Sequence, residues 1–293
     1  MMIRILMAAA VLLMAARVDA SNEGAGVDAY AVQAWGDTGR LVYLIPGLAS
    51  PGSVWDGLAE ELVERGYQAR VLTLAGFAGQ PALANEAFLT EVRRQLAAEL
   101  AEHDGPPPLL VGHSLGAFMA YWLAATEPHS VAGVIAVDGL PYLGALGNPS
   151  ATPESQQAQA EQLATFMASL TTEQYAQQNR MALAGMITAQ EDVERVAELG
   201  DLSDPATVGR AVAEMLTTDL RPLMNQIQVP VLLIQAADSG ASEATRQVFA
   251  EQIAEIPEHR HVVASQGRHF VQLDAPDFVS QAVFKMLQAI GHE

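Results

Sequence analysis

Leu109-Leu110-Val111-Gly112-His113-Ser114-Leu115-Gly116 is the stretch from which the rest of the chain can be read. Three apolar residues read as the end of a buried strand. A Gly-x-Ser-x-Gly pentapeptide follows at once, and residues 117–126 continue as an apolar helix. A serine held between glycines at a strand-to-helix turn is exposed at the strand's carboxyl end, where a side chain at position 112 or 116 would collide with the neighbouring strand or helix. The same turn aims the backbone N–H groups after Ser114 at the space in front of its hydroxyl. His113, inside the turn, is expected to point away from that hydroxyl.

Outward from this turn, short apolar runs alternate with helical patterns. Residues 27–35 alternate apolar and polar, as an edge strand does. Residues 40–45 form an apolar run that stops at Pro46-Gly47, which predicts a central strand. Val54, Leu58 and Leu62 lie at helical spacing before Gly66, residues 68–74 form the next strand, and residues 84–101 the next helix. Gly105-Pro106-Pro107-Pro108 breaks that helix. Beyond the serine turn, residues 131–137 are a β-branched run that ends in Asp138-Gly139. The alternation resumes with a strand over 229–234, a helix over 242–256, a strand over 261–264 and a helix over 276–290.

Between these parts, residues 142–226 break the rhythm. They are rich in Gln, Ala, Glu and Met and hold no β-branched run. Thr152-Pro153 and Asp204-Pro205 are helix starts with Pro in the first position, and Thr171 to Gln174 is a capping box. Leu163, Phe166, Met167 and Leu170 form an apolar stripe. The fold class is therefore α/β, a mostly parallel sheet with helices on both faces. The core comprises residues 21–141 and 227–293, and residues 142–226 form an all-helical insertion.

Composition narrows the function. The chain has 293 residues, half of them apolar, enough for a large core. Residues 1–20 look like an export signal, with Arg4, an apolar run over 5–16 and Val18-Asp19-Ala20 as a small-residue cleavage site. This predicts a periplasmic or extracellular protein. An apolar run of about a dozen residues is too short to span a bilayer comfortably. Cys is absent, which excludes disulfides, a thiol nucleophile and Cys-ligated metal. A net charge of −19 disfavours nucleic acid and anionic membranes as partners, leaving a small molecule as the expected substrate. The sequence leaves the oligomeric state open.

A serine hydroxyl needs an adjacent base, usually a histidine oriented by a carboxylate. Of the seven histidines, His269 is favoured. It sits in a loop after the last strand, where a long side chain reaches across the carboxyl edge of the sheet, at which ligands bind in such folds. His103, His129 and His292 fall at helix ends or the terminus. For the carboxylate, Asp238 closes the strand before the one leading to His269 and gives the chain order Ser, Asp, His. Asp138, at the end of a central strand and followed by Gly139, is the rival. The developing oxyanion calls for two backbone donors. The N–H of Leu115 is one, and the N–H of Leu48, after Pro46-Gly47, is the other. His259 and His261 share a strand face, but no third ligand accompanies them and no metal is expected. Met167, Met181, Met186, Met215 and Met224 either line an acyl pocket or pack between helices.

These pieces together resemble the α/β-hydrolase fold superfamily, in its serine esterase and lipase-like branch. The likeness rests on Ile45-Pro46-Gly47-Leu48, Gly112 to Gly116, the run from Val229 to Asp238, and Gly267-Arg268-His269-Phe270. It implies that residues 142–226 are a helical cap over the active site. Pro46-Gly47 stands where many members have His-Gly, and Leu74 to Gln80 departs from the usual Gly-His-Gly-x-Ser loop. A serine at 114 argues against the dehalogenase and epoxide-hydrolase branches, which use Asp there. The resemblance implies hydrolysis of a carboxylic ester through an acyl-enzyme on Ser114, with no cofactor. An aminopeptidase, lactonase or thioesterase would use the same residues, and a non-catalytic binding protein could keep the frame.

Overall fold

In a computed structural model of the chain, residues 28–84 and 87–291 are described; the export-signal reading of residues 1–20 lies outside them. Seven strands form one sheet: β1 (Tyr30–Trp35), β2 (Leu41–Ile45), β3 (Gln68–Leu74), β4 (Leu109–His113), β5 (Gly133–Val137), β6 (Val231–Gln235) and β7 (His259–Val263). Their spatial order is β1-β3-β2-β4-β5-β6-β7. All neighbours are parallel except β1, which runs antiparallel to β3 as an edge strand. Strands β2, β4 and β5 are buried at every residue, which is why they appear in the sequence as unbroken apolar runs.

The two faces of the sheet carry separate cores. Along β2, Leu41, Tyr43 and Ile45 face one cluster while Val42 and Leu44 face the other, following the period of two of a pleated strand. Helices α2 (Phe88–Ala101), α3 (Leu115–Thr126) and α8 (Glu243–Ile253) cover the first face. Helices α1 (Asp56–Glu64) and α10 (Pro276–Ile290) cover the second. Helix α3 is buried nearly all round, and Phe118, Tyr121 and Leu123 are fully enclosed. Enclosing each such side chain contributes on the order of 1.5–3 kcal/mol. This packing holds the start of α3, and so the serine turn, rigidly against β4 and β5.

Residues 142–226 contain four α-helices and no strand among the described residues. They are α4 (Pro153–Ala168), α5 (Thr172–Met186), α6 (Gln190–Gly200) and α7 (Pro205–Thr217). Their starts are the ones the sequence signals. The hydroxyls of Thr152 and Thr171 accept from the N–H of Ser155 and Gln174, both at 3.3 Å. The Asp204 carboxylate accepts from the N–H of Thr207 at 2.8 Å. Helices α4 and α7 pack closely because Gly209 has no side chain; a Cβ there would come within 2.8 Å of Met167 Cβ. The expected stripe on α4 is only partly buried. Met167 and Leu170 pack inward, but Phe166 remains half exposed on the outer side. No described helix is long and apolar enough to cross a membrane.

Candidate active site

The turn between β4 and α3 forces Ser114 into φ 53°, ψ −114°, a conformation sparsely populated by residues other than glycine. The chain is packed too tightly here to relax. A Cβ on Gly112 would lie 2.2 Å from Gly116 O, and one on Gly116 would lie 2.1 Å from Ile45 O. Ser114 N donates to Val137 O at 2.9 Å, tying the turn to the end of β5. The Ser114 side chain lines a cavity of about 300 Å³ at the carboxyl ends of the strands, together with His269 and Asp138.

His269 lies in the irregular segment between β7 and the short helix α9 (Val271–Asp274). Its Nδ1 is 2.7 Å from Asp138 Oδ2. The other oxygen of that carboxylate accepts from Ala236 N at 2.8 Å and Ser239 Oγ at 3.0 Å. Because Asp138 as an ionised group can only accept, Nδ1 carries the proton and Nε2 is left as the basic nitrogen. Asp138 is 7% exposed and sits at φ 45° immediately after β5, a twist that turns its carboxylate inward over the sheet. Gly139 follows where a Cβ would come within 2.4 Å of Ala117 Cβ.

Asp238, which chain order favours as the partner of His269, does not fill that place. Its backbone is helical (φ −64°, ψ −48°) and its side chain is 70% exposed. Its Oδ2 lies 3.6 Å from the Arg268 guanidinium. Asp238 lines the mouth of the cavity, and the rival, Asp138, holds the histidine.

His113 has a role that the sequence did not reveal. Its ring is fully buried, 4.6 Å from the His269 ring, and its Nε2 is 3.0 Å from the His269 carbonyl oxygen. Burial first, and the neighbouring His269 second, hold its pKa well below 6.5. It is therefore a neutral imidazole whose Nε2–H is engaged with the loop that carries His269. A buried His one residue before the serine was the available signal.

The N–H groups of Leu48 and Leu115 donate to no acceptor among the described residues. Leu115 begins α3, where the helix dipole adds positive potential. Gly47 passes so close to the turn that a Cβ there would be 2.8 Å from His113 Nδ1 and 3.3 Å from Ser114 Cβ. Pro46-Gly47 thus brings the start of this loop against the serine turn without a histidine in it. The divergent loop after β3 is fastened under the insertion instead: Ala78 N donates to Ser203 Oγ at 2.9 Å and Asp204 N to Gly76 O at 2.7 Å.

Away from these groups the cavity is apolar, walled by Leu140, Leu143, Leu146, Met215 and Phe249. Of the insertion's methionines only Met215 lines it; Met224 is buried elsewhere, and Met181 and Met186 are exposed. The imidazoles of His259 and His261 are used within the chain, on Ile256 O at 2.6 Å and Gln235 Oε1 at 2.9 Å. No cluster of three potential metal ligands occurs among the described residues.

The pattern of the alpha/beta hydrolase family matches residues 42–282. The pimeloyl-(acyl-carrier protein) methyl ester esterase of Nitrosomonas europaea is 26% identical over 251 residues, covering 83% of this chain and 94% of its own. The enzyme of that name from Vibrio cholerae is 30% identical over 210 residues, or 69% of this chain and 77% of its own. A thermophilic esterase from Thermogutta terrifontis has the same fold, with a TM-score of 0.72 and 20% identity, over 89% of this chain and 93% of that one.

Proposed function

The chain belongs to the alpha/beta hydrolase family, and on that premise we propose that it is a serine hydrolase cleaving small carboxylic esters through an acyl-enzyme. The observation that carries this reading is the Asp138–His269 contact of 2.7 Å, made at the wall of the cavity that also exposes Ser114. In the reaction, Ser114 Oγ attacks the ester carbonyl carbon while its proton passes to His269 Nε2. Asp138 stabilises the imidazolium without taking the proton. The N–H groups of Leu48 and Leu115 receive the oxyanion of the tetrahedral intermediate. The carbon–oxygen bond to the leaving alcohol then breaks, and Nε2 returns its proton to the departing oxygen. Water, deprotonated by the same nitrogen, repeats the sequence on the acyl-enzyme and frees the acid.

The apolar wall formed by Leu140, Leu143, Leu146, Met215 and Phe249 suits an uncharged hydrocarbon group of modest length. The esterase names of the Nitrosomonas and Vibrio relatives support an ester rather than an amide substrate. In this reading, residues 142–226 act as a cap, and residues 1–20 direct export. Hydrolysis of p-nitrophenyl esters of graded chain length, with Ser114→Ala as control, tests the activity, and a fluorophosphonate probe tests the nucleophile. No turnover together with no labelling of the folded wild-type protein would sink the proposal. Cell fractionation tests export.

A further inference from the structure

We propose that Asp274 is a positioning residue for His269, clamping the loop of that histidine to the helical insertion; this rests on the serine-hydrolase reading above. The Asp274 carboxylate accepts three hydrogen bonds. Arg268 N donates to Oδ2 at 2.7 Å, Thr188 Oγ1 to Oδ2 at 2.7 Å, and Thr188 N to Oδ1 at 2.9 Å. One donor is the residue just before His269, and the other two come from the link between α5 and α6. On the other side of His269, Phe270 N donates to Met186 O at 3.2 Å. Arg268 Nη1 adds bonds to Ala184 O at 2.9 Å and Ile187 O at 3.2 Å. Both amides flanking His269 are thus fixed, one by Asp274 and one by the insertion.

Helix stability does not account for this carboxylate. Asp274 ends α9, a single turn of four residues, and its carboxylate bonds outside that turn, to Arg268 and Thr188. The backbone has also been shaped to admit it. Gly267 sits at φ +103°, and a Cβ there would approach Asp274 Cβ to 2.8 Å. His269 lies outside any strand or helix, so the precision of its ring depends on these backbone tethers as well as on its bonds to Asp138 and His113. A catalytic base displaced by even an ångström costs rate rather than substrate affinity.

The test compares Asp274→Asn, Thr188→Val and Thr188→Ser with wild type, using a neutral short-chain ester and a fluorophosphonate probe. Asp274→Asn and Thr188→Val should lower kcat about 10- to 100-fold with KM within about 2-fold. Labelling of Ser114 should slow by the same factor. Thr188→Ser, which keeps the hydroxyl, should restore wild-type kcat. Melting curves establish that each variant is folded at the assay temperature. Folded Asp274→Asn with wild-type kcat and labelling rate would overturn the inference, as would a loss in Thr188→Val that Thr188→Ser does not recover. Failure of the wild-type protein itself to label would instead remove the hydrolase reading and this inference with it.

Discussion

Asp138 Oδ2 and His269 Nδ1 meet at 2.7 Å across 131 residues of sequence, and both oxygens of that carboxylate are hydrogen-bonded. Among the described residues, only this aspartate is placed to select the tautomer of His269 with a basic Nε2. Asp138→Asn should therefore lower kcat by roughly 10³- to 10⁴-fold, since an amide can present N–H where N–H must be accepted. Asp238→Asn should stay within about 2-fold, because its exposed side chain reaches only Arg268. Steady-state kinetics on one ester decides between them, and the reverse ranking would refute the assignment.

Ser114 is held at φ 53°, ψ −114°, a backbone state that costs on the order of 1–3 kcal/mol for a residue with a Cβ. Ser114→Gly should abolish turnover yet raise stability by about 1 kcal/mol, whereas Ser114→Ala should abolish turnover with no such gain. Chemical denaturation of both variants measures the difference. Equal stabilities would mean that the turn is not strained.

His113 links pH to stability. Its pKa is depressed by burial and, next, by the neighbouring His269, so near 6.5 the unfolded chain binds a proton that the folded one refuses. The stability this group provides is complete above that pH and is lost as the pH falls toward the depressed value. The melting temperature should drop between about pH 7.5 and pH 5.5, and His113→Gln should flatten the slope. The glutamine can still donate to the His269 carbonyl but cannot titrate. An unchanged slope in that variant would show that other groups bind the proton.

Met215 and Phe249 wall the apolar end of the cavity from opposite parts of the chain, the insertion and the core. Met215→Ala should move the preferred acyl chain longer, with kcat/KM gaining about 4-fold for each methylene newly enclosed. Kinetics on straight-chain esters of increasing length checks this. No shift in the optimum would place the hydrocarbon elsewhere.

Much of the site is legible in the sequence because its signals are local. Gly112, Ser114 and Gly116 mark the turn by residue type at a spacing of two, although the contact that demands glycine at 116 is made with Ile45, far along the chain. Thr152, Thr171 and Asp204 mark helix starts through bonds reaching only three residues ahead. His269 stands out because a loop after the last strand can reach only the carboxyl edge. Phe166, by contrast, belongs to an apolar stripe whose outer member nothing in the described chain covers. Periodicity gives the face of a helix but not the extent of its neighbour.

The order of strands and helices along the chain, the serine turn and the histidine loop were determined by the sequence alone, since each depends on residue types at short spacing. The choice between Asp138 and Asp238 belonged to the tertiary structure. Both end neighbouring parallel strands, β5 and β6, and so arrive at the same edge of the sheet. What separates them is a backbone twist: φ 45° carries the Asp138 carboxylate inward, and φ −64° leaves that of Asp238 facing water. Chain order holds no record of that angle. It is fixed by contacts that exist only once β5, α3 and the histidine loop have packed together.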